Sequence, residues 1–147
     1  MCMTDGLTMS TKFTGMAIFS GEAVAKVRST NNRDSDGHVG MATNMPMACV
    51  IPIHMEDYGG QLNCKRGAYM AGDETVKVGV KILPARSTAA CCYGGIPPVI
   101  QVMSGSGMAL INAGGTLVKA NGEILIIDSD SLVTFTDTIV LVTRLPK

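Results

Sequence analysis

In the stretch TVKVGVKI, Val76, Val78, Val80 and Ile82 alternate with Lys77, Gly79 and Lys81. A period of two matches the pleat of a β-strand, where successive side chains point to opposite faces. It predicts a strand with valines in a core and lysines in water. The same theme recurs in short runs of Val, Ile, Leu and Thr separated by turn residues. These runs predict strands at 23–28, 38–42, 48–54, 62–65, 68–71, 76–83, 99–103, 108–112, 116–119, 124–128, 132–135 and 139–143. Helix signals are nearly absent, because seventeen glycines and six prolines interrupt most windows before an i, i+3, i+4, i+7 pattern accumulates. The pattern predicts an all-β sandwich or barrel-like fold.

Turn chemistry supports these boundaries. Asn121-Gly122, between TLVKA and EILII, is the strongest local hairpin cue, since both residues tolerate the positive φ of a type I′ turn. Asp36-Gly37, Gly59-Gly60 and Gly114-Gly115 punctuate the chain similarly. The chain also resembles itself. With one residue of slip, Gly60 matches Gly122, Leu62 matches Ile124 and Cys64 matches Ile126. The run 68–71 matches 132–135, and Glu74-Thr75-Val76 matches Asp137-Thr138-Ile139. Upstream, FSGEAVAKVRS (19–29) echoes YGGIPPVIQVMS (93–104) with a small indel. The expected organisation is an N-terminal segment (1–12), a first β module (13–83), a linker loop (84–91) and a second β module (92–147), together forming one compact domain.

Composition narrows the function classes. The chain has 147 residues, 46% hydrophobic and 16% charged, which is ample for a core. Twelve Lys+Arg balance twelve Asp+Glu, whereas nucleic-acid binders concentrate positive charge. Six aromatics without tryptophan also make a poor base-stacking platform. Five cysteines (Cys2, Cys49, Cys64, Cys91, Cys92) form no CxxC and no regular framework, so a reducing, intracellular setting is expected. No run reaches the roughly 18–20 apolar residues of a membrane span, and MCMTDGLTMSTKFTG lacks the layout of a secretion signal. Of eleven methionines, most are expected in the core, while Met41, Met45 and Met47 are candidates for a contact surface.

Candidate chemistry is sparse. SGSGMALINAGG (104–115) invites comparison with phosphate-binding loops. A P-loop needs a lysine and hydroxyl after its last glycine, and a dinucleotide fingerprint needs a following helix. Gly105-Ser106-Gly107 has neither, so its glycines are read as turns between strands. The two histidines, His38 and His54, fall in different predicted strands, and a metal site would have to draw on His54, Glu56 and a distant His38. Asp128 and Asp130 in IDSDS read as a hydrated turn, with a shared strand face as the alternative. No serine or cysteine has an identifiable base and orienter. No catalytic, cofactor-binding or metal-binding residue is assigned, no cofactor is expected, and an enzyme is not expected.

Three segments together resemble a known family. SGSGMALINAGGTLVKANGEILIIDSDSLVTFTDTI is similar to its C-terminal signature, a SGxG turn, an apolar strand, an AxG turn, a GExLxVD strand and an LVAF-like strand. GGQLNCKRGAYMAGDETVKVGVKI resembles its central LxVxxGAFLAxDxxVxVxxK pattern, and FSGEAVAKVRSTN followed by GHVGMATNMPMACVIPI resembles its GExLFLxxFT…GxVxLAPxxPGxIIPI module. This is the altered-inheritance-of-mitochondria family, long catalogued as a domain of unknown function. Its fold is similar to that of the trp RNA-binding attenuation protein. The resemblance, over about residues 13–143, implies a double-stranded β-helix-like (TRAP-like) β-sandwich built from repeated β modules, and no catalytic residues. It links eukaryotic members to organisation of the mitochondrial inner membrane. Against the family pattern the chain is expected to be shortened at both ends, and GGIPPVIQ stands where GGEGxFxQ is usual. Pro97 and Pro98 remove ladder donors, which suits an edge strand or a strand entrance. An exposed edge calls for cover by another subunit, so a homo-oligomer is expected.

The expected function is that of a non-catalytic β-sandwich for protein interaction or small-ligand binding. Loops at 29–37, 55–60 and 84–95 supply variation. Two alternatives stand beside it: a small-molecule or metal-binding barrel with weak enzymatic activity centred on His54 and Glu56, and RNA binding by fold analogy. The expected location is cytoplasmic, with mitochondrial as the alternative.

Overall fold

A computed structural model describes residues 7–13, 25–43, 46–83, 98–120 and 124–141. Its strands are β1 (Leu7–Phe13), β2 (Ala25–Asn31), β3 (Ala48–His54), β4 (Gln61–Cys64), β5 (Tyr69–Gly72), β6 (Lys77–Ile82), β7 (Val99–Ser104), β8 (Met108–Gly114) and β9 (Thr134–Phe135). Single 3-10 turns occur at Met55–Tyr58 and Ser129–Ser131. The protein is all-β, as its alternating pattern predicts.

Among the described residues all the pairings are antiparallel and build three sheets, ordered β1-β2, β3-β8-β5 and β6-β7-β4-β9. The last two pack on one another. Ile53, Met55, Leu62, Cys64, Ala68, Val76, Met103, Ala109 and Ile111 form one buried cluster drawn from both. In β8 the period-two rule puts Ala109, Ile111 and Ala113 inward, all at 3% exposure or less. Burying a side chain the size of Leu62 contributes about 1.5–3 kcal/mol, so this cluster holds the sandwich together. Strands from the early and late parts of the chain interleave: β8 lies between β3 and β5, and β7 between β6 and β4.

The TVKVGVKI alternation holds through Val80. Val76 is buried, Val78 and Val80 are half-buried and Lys77 is exposed, while Ile82 projects from the strand end, 76% exposed. Pro98 precedes β7, which has a neighbour on each side. Of the two roles open to this proline, strand entrance is the one observed, and the missing donor costs no ladder bond. Pro97, Cys2, Cys91, Cys92, Met45, the Asn121-Gly122 turn and the 84–95 loop fall outside the described residues.

Several expected strands differ. β1, for which no strand was expected and most of which falls in the N-terminal segment (1–12), pairs along its whole length from Leu7 opposite Asn31 to Phe13 opposite Ala25. Segment 38–42 is reduced to an isolated bridge at Val39, and 132–135 shortens to β9. Segments 116–119 and 124–128 are not strands, nor are the described residues of 139–143. A strand needs a neighbour to complete its ladder hydrogen bonds, and these segments belong to none of the three sheets.

Candidate functional site

The SGSG segment carries the chain from one sheet to the other, joining β7 to β8. Gly105 adopts φ +124°, and a Cβ there would lie 2.1 Å from the Thr75 carbonyl oxygen. Only glycine fits this crossing. Side chains from two other loops hold it. Glu56 Oε1 accepts from Gly107 N at 2.7 Å, Asp73 Oδ2 accepts from Met108 N at 2.7 Å, and Thr75 Oγ1 donates to the Ser106 carbonyl at 2.5 Å. Backbone bonds from Met55 N to Gly107 O and from Gly105 N to Gly60 O complete the clamp. The N–H groups of Gly107 and Met108 thus face the protein's own carboxylates and that of Gly105 a backbone carbonyl, so the segment is punctuation between strands.

His54 and Glu56 adjoin this clamp at the end of β3 and in the following 3-10 turn. The Gly107 N–H and Glu56's own backbone N–H hold the Glu56 carboxyl below the ordinary range. Desolvation opposes them slightly and His54 adds to the lowering. No group of three or more His, Cys, Asp or Glu residues able to hold a metal occurs among the described residues. His38 lies in the exposed loop beyond β2.

A second polar network covers the outer face of the larger sheet. Asp137 accepts from Gln61 Nε2 and Asn63 Nδ2, each at 2.6 Å, and from Lys81 Nζ at 2.7 Å. The Lys81 bond first, then the Asn63 bond, hold its carboxyl below the usual range. Asn63 is 2% exposed, so its amide depends on Asp137 for an acceptor. Asp128 and Asp130 form a capped turn: Asp128 Oδ1 accepts from Asp130 N, and Asp130 pairs with Lys65 at 3.1 Å.

The remaining unusual surface is apolar. Ile124, Leu125, Ile126 and Ile127 are 88%, 58%, 79% and 43% exposed, and Leu117, Val118, Ile139 and Val140 are exposed as well. Isolated exposed apolar residues are ordinary, whereas four consecutive ones are not. Met41 and Met47 are exposed as expected of contact residues, while Met55 and Met103 are fully buried. Beside β5, Lys26 of β2 lies over the Tyr69 ring, 4.7 Å from its centroid, and Arg28 pairs with Glu74 at 2.5 Å.

Compared with known families, the model for Mitochondrial biogenesis AIM24 matches residues 1–145. The chain belongs to this family. The match takes in every described strand, including β1. No curated protein matches the chain. No helix among the described residues is long and apolar enough to cross a membrane. Two of the segments that carry the resemblance fall at structural joints: SGSG is the sheet-to-sheet turn, and GAYMAGDETVKV carries β5, the bracing Asp73 and Thr75, and the start of β6.

Proposed function

We propose that the protein is a non-catalytic β-sandwich interaction module that works as a homo-oligomer within assemblies of mitochondrial biogenesis. The observation that carries this reading is the run at 124–127, exposed along its whole length, with Leu117, Val118, Ile139 and Val140 exposed as well. Apolar surface of this extent favours burial against another protein. The polar clusters support the same reading from the other side, because their carboxylates already bind backbone N–H groups or lysine. The His54–Glu56 reading is weaker for that reason, since a Glu56 oxygen is occupied by Gly107. The family description favours a mitochondrial location over a cytoplasmic one. Sedimentation equilibrium across a hundredfold concentration range tests self-association. A rising mass average supports the reading, and a constant monomer mass overturns it.

A further inference from the structure

β6 ends the larger sheet, in the order β6-β7-β4-β9, and among the described residues it pairs along one edge, with β7. Beyond that ladder its residues make one further hydrogen bond or ion pair, from the Lys81 ammonium to Asp137. The backbone groups of its second edge therefore bond to nothing in the chain. Lys77 and Gly79 are exposed, and Ile82 is 76% exposed. Nothing lies within 4 Å of a Cβ added at Gly79. An edge strand in this state is a template for another strand.

The lysines of β6 select what can pair there. A second β6 laid antiparallel about Gly79 sets Lys77 opposite Lys81, and like charges in facing positions destabilise a ladder. The edge calls for an apolar strand with an acidic end. Segment 124–127 has that composition, four apolar residues followed by Asp128. All four are exposed, and the segment belongs to none of the three sheets. Pairing of this segment with itself brings Glu123 opposite Asp128 and is disfavoured for the same reason.

We propose that segment 124–127 of one copy of this chain pairs antiparallel with the open edge of β6 of a second copy. This rests on the self-association proposed above and names the surfaces that make it. With Ile126 facing Gly79, its side chain covers the bare glycine, and Leu125 and Ile127 face Val80 and Val78 on the core side. Asp128 then meets Lys77, which has no ion-pair partner among the described residues.

The chain's own segment cannot reach this place. Thr134 of β9 pairs with Cys64 of β4, four strand spacings from the added strand, or about 19 Å. Cys64 is level with Val80 through Gln101, so Lys77 lies a further three residues along, about 10 Å. The straight line from Thr134 to a residue beside Lys77 is thus about 22 Å. The connection back to Asp128 is shorter. Ser131 N bonds the Asp128 carbonyl, which holds those two residues within about 7 Å. The three residues on to Thr134 add at most about 10 Å. A second copy carries no such tether, and each copy offers one segment and one edge, so a closed assembly uses up both.

Charge exchange and a directed disulfide test this on the full chain. Lys77→Glu and Asp128→Lys each set like charges at the contact, and each alone is expected to weaken association at least tenfold in sedimentation equilibrium. Mixed one to one, the two variants restore opposite charges at every mixed contact. Association is then expected to recover, which a folding defect in either variant would not give. Separately, a Gly79→Cys copy is mixed with an Ile126→Cys copy and oxidised, each variant alone controlling for the native thiols. Expected is a disulfide-linked dimer in the mixture only, with the 79–126 link mapped by mass spectrometry, since facing strand residues meet disulfide geometry. The same link inside one chain of the double variant, at monomer mass, overturns the inference. Self-association without the link, or a charge-exchanged mixture as weak as its components, overturns the inference and leaves the proposed function standing. A constant monomer mass of the unsubstituted chain overturns both.

Discussion

Asp73 accepts the backbone N–H of Met108 at 2.7 Å, joining the loop after β5 to the first residue of β8. Together with Glu56 on Gly107 and Thr75 on Ser106, it makes the crossing between sheets a braced joint. The joint depends on a backbone that only glycine supplies at position 105, where the chain passes against Thr75.

Gly105→Ala is therefore expected to destabilise the protein by about 2–4 kcal/mol, through overlap with the Thr75 carbonyl and the positive φ. Gly114→Ala, with nothing within 4 Å of an added Cβ, is expected to stay within about 0.5 kcal/mol. Urea denaturation of both variants checks the contrast.

The Asp137 network sets an acid limb. Its carboxyl is depressed in the folded protein by Lys81 and Asn63, so between the folded and unfolded pKa the unfolded chain binds more protons. The stability it contributes is present above the ordinary carboxylate range, about pH 4, and is lost as pH falls through the folded value. Asp137→Asn, which keeps an acceptor for Asn63, is expected to flatten that limb in melts from pH 6 to pH 2.5. Asp137→Ala leaves the buried Asn63 amide without its acceptor and is expected to cost about 1–3 kcal/mol at neutral pH.

Methionine position separates core from surface. Met103→Ala is expected to cost about 2–5 kcal/mol, because the side chain is fully buried between the sheets. Met47→Ala, 92% exposed, is expected to change stability by less than about 0.5 kcal/mol.

Thiol accessibility checks the packing of β4. Cys49 is exposed and Cys64 is buried. Native protein treated with a thiol reagent is expected to carry the label on Cys49, with Cys64 labelled only after unfolding, as read by peptide mass spectrometry.

Much of this was legible in one dimension. Alternation in TVKVGVKI placed Val76 in the core, and runs without helical period placed β3 through β8 to within a residue or two of their observed ends. β1 also carried a signal, since Leu7, Met9, Thr11 and Phe13 alternate with more polar residues. The glycines of SGSG were readable as turns because no lysine and no helix follows them.

Local pattern determined which segments favour extended structure and which glycines must turn, because φ/ψ preference and period-two burial are properties of neighbours in sequence. Tertiary structure alone decided which of those segments became strands. The apolar residues 124–127 favour a strand as strongly as β8 does, yet they lie outside every sheet, because a ladder requires a partner edge that sequence does not supply. Tertiary structure also occupied the candidate chemistry: Glu56, a possible ligand by type, became a brace once folding brought Gly107 to it across 51 residues of chain.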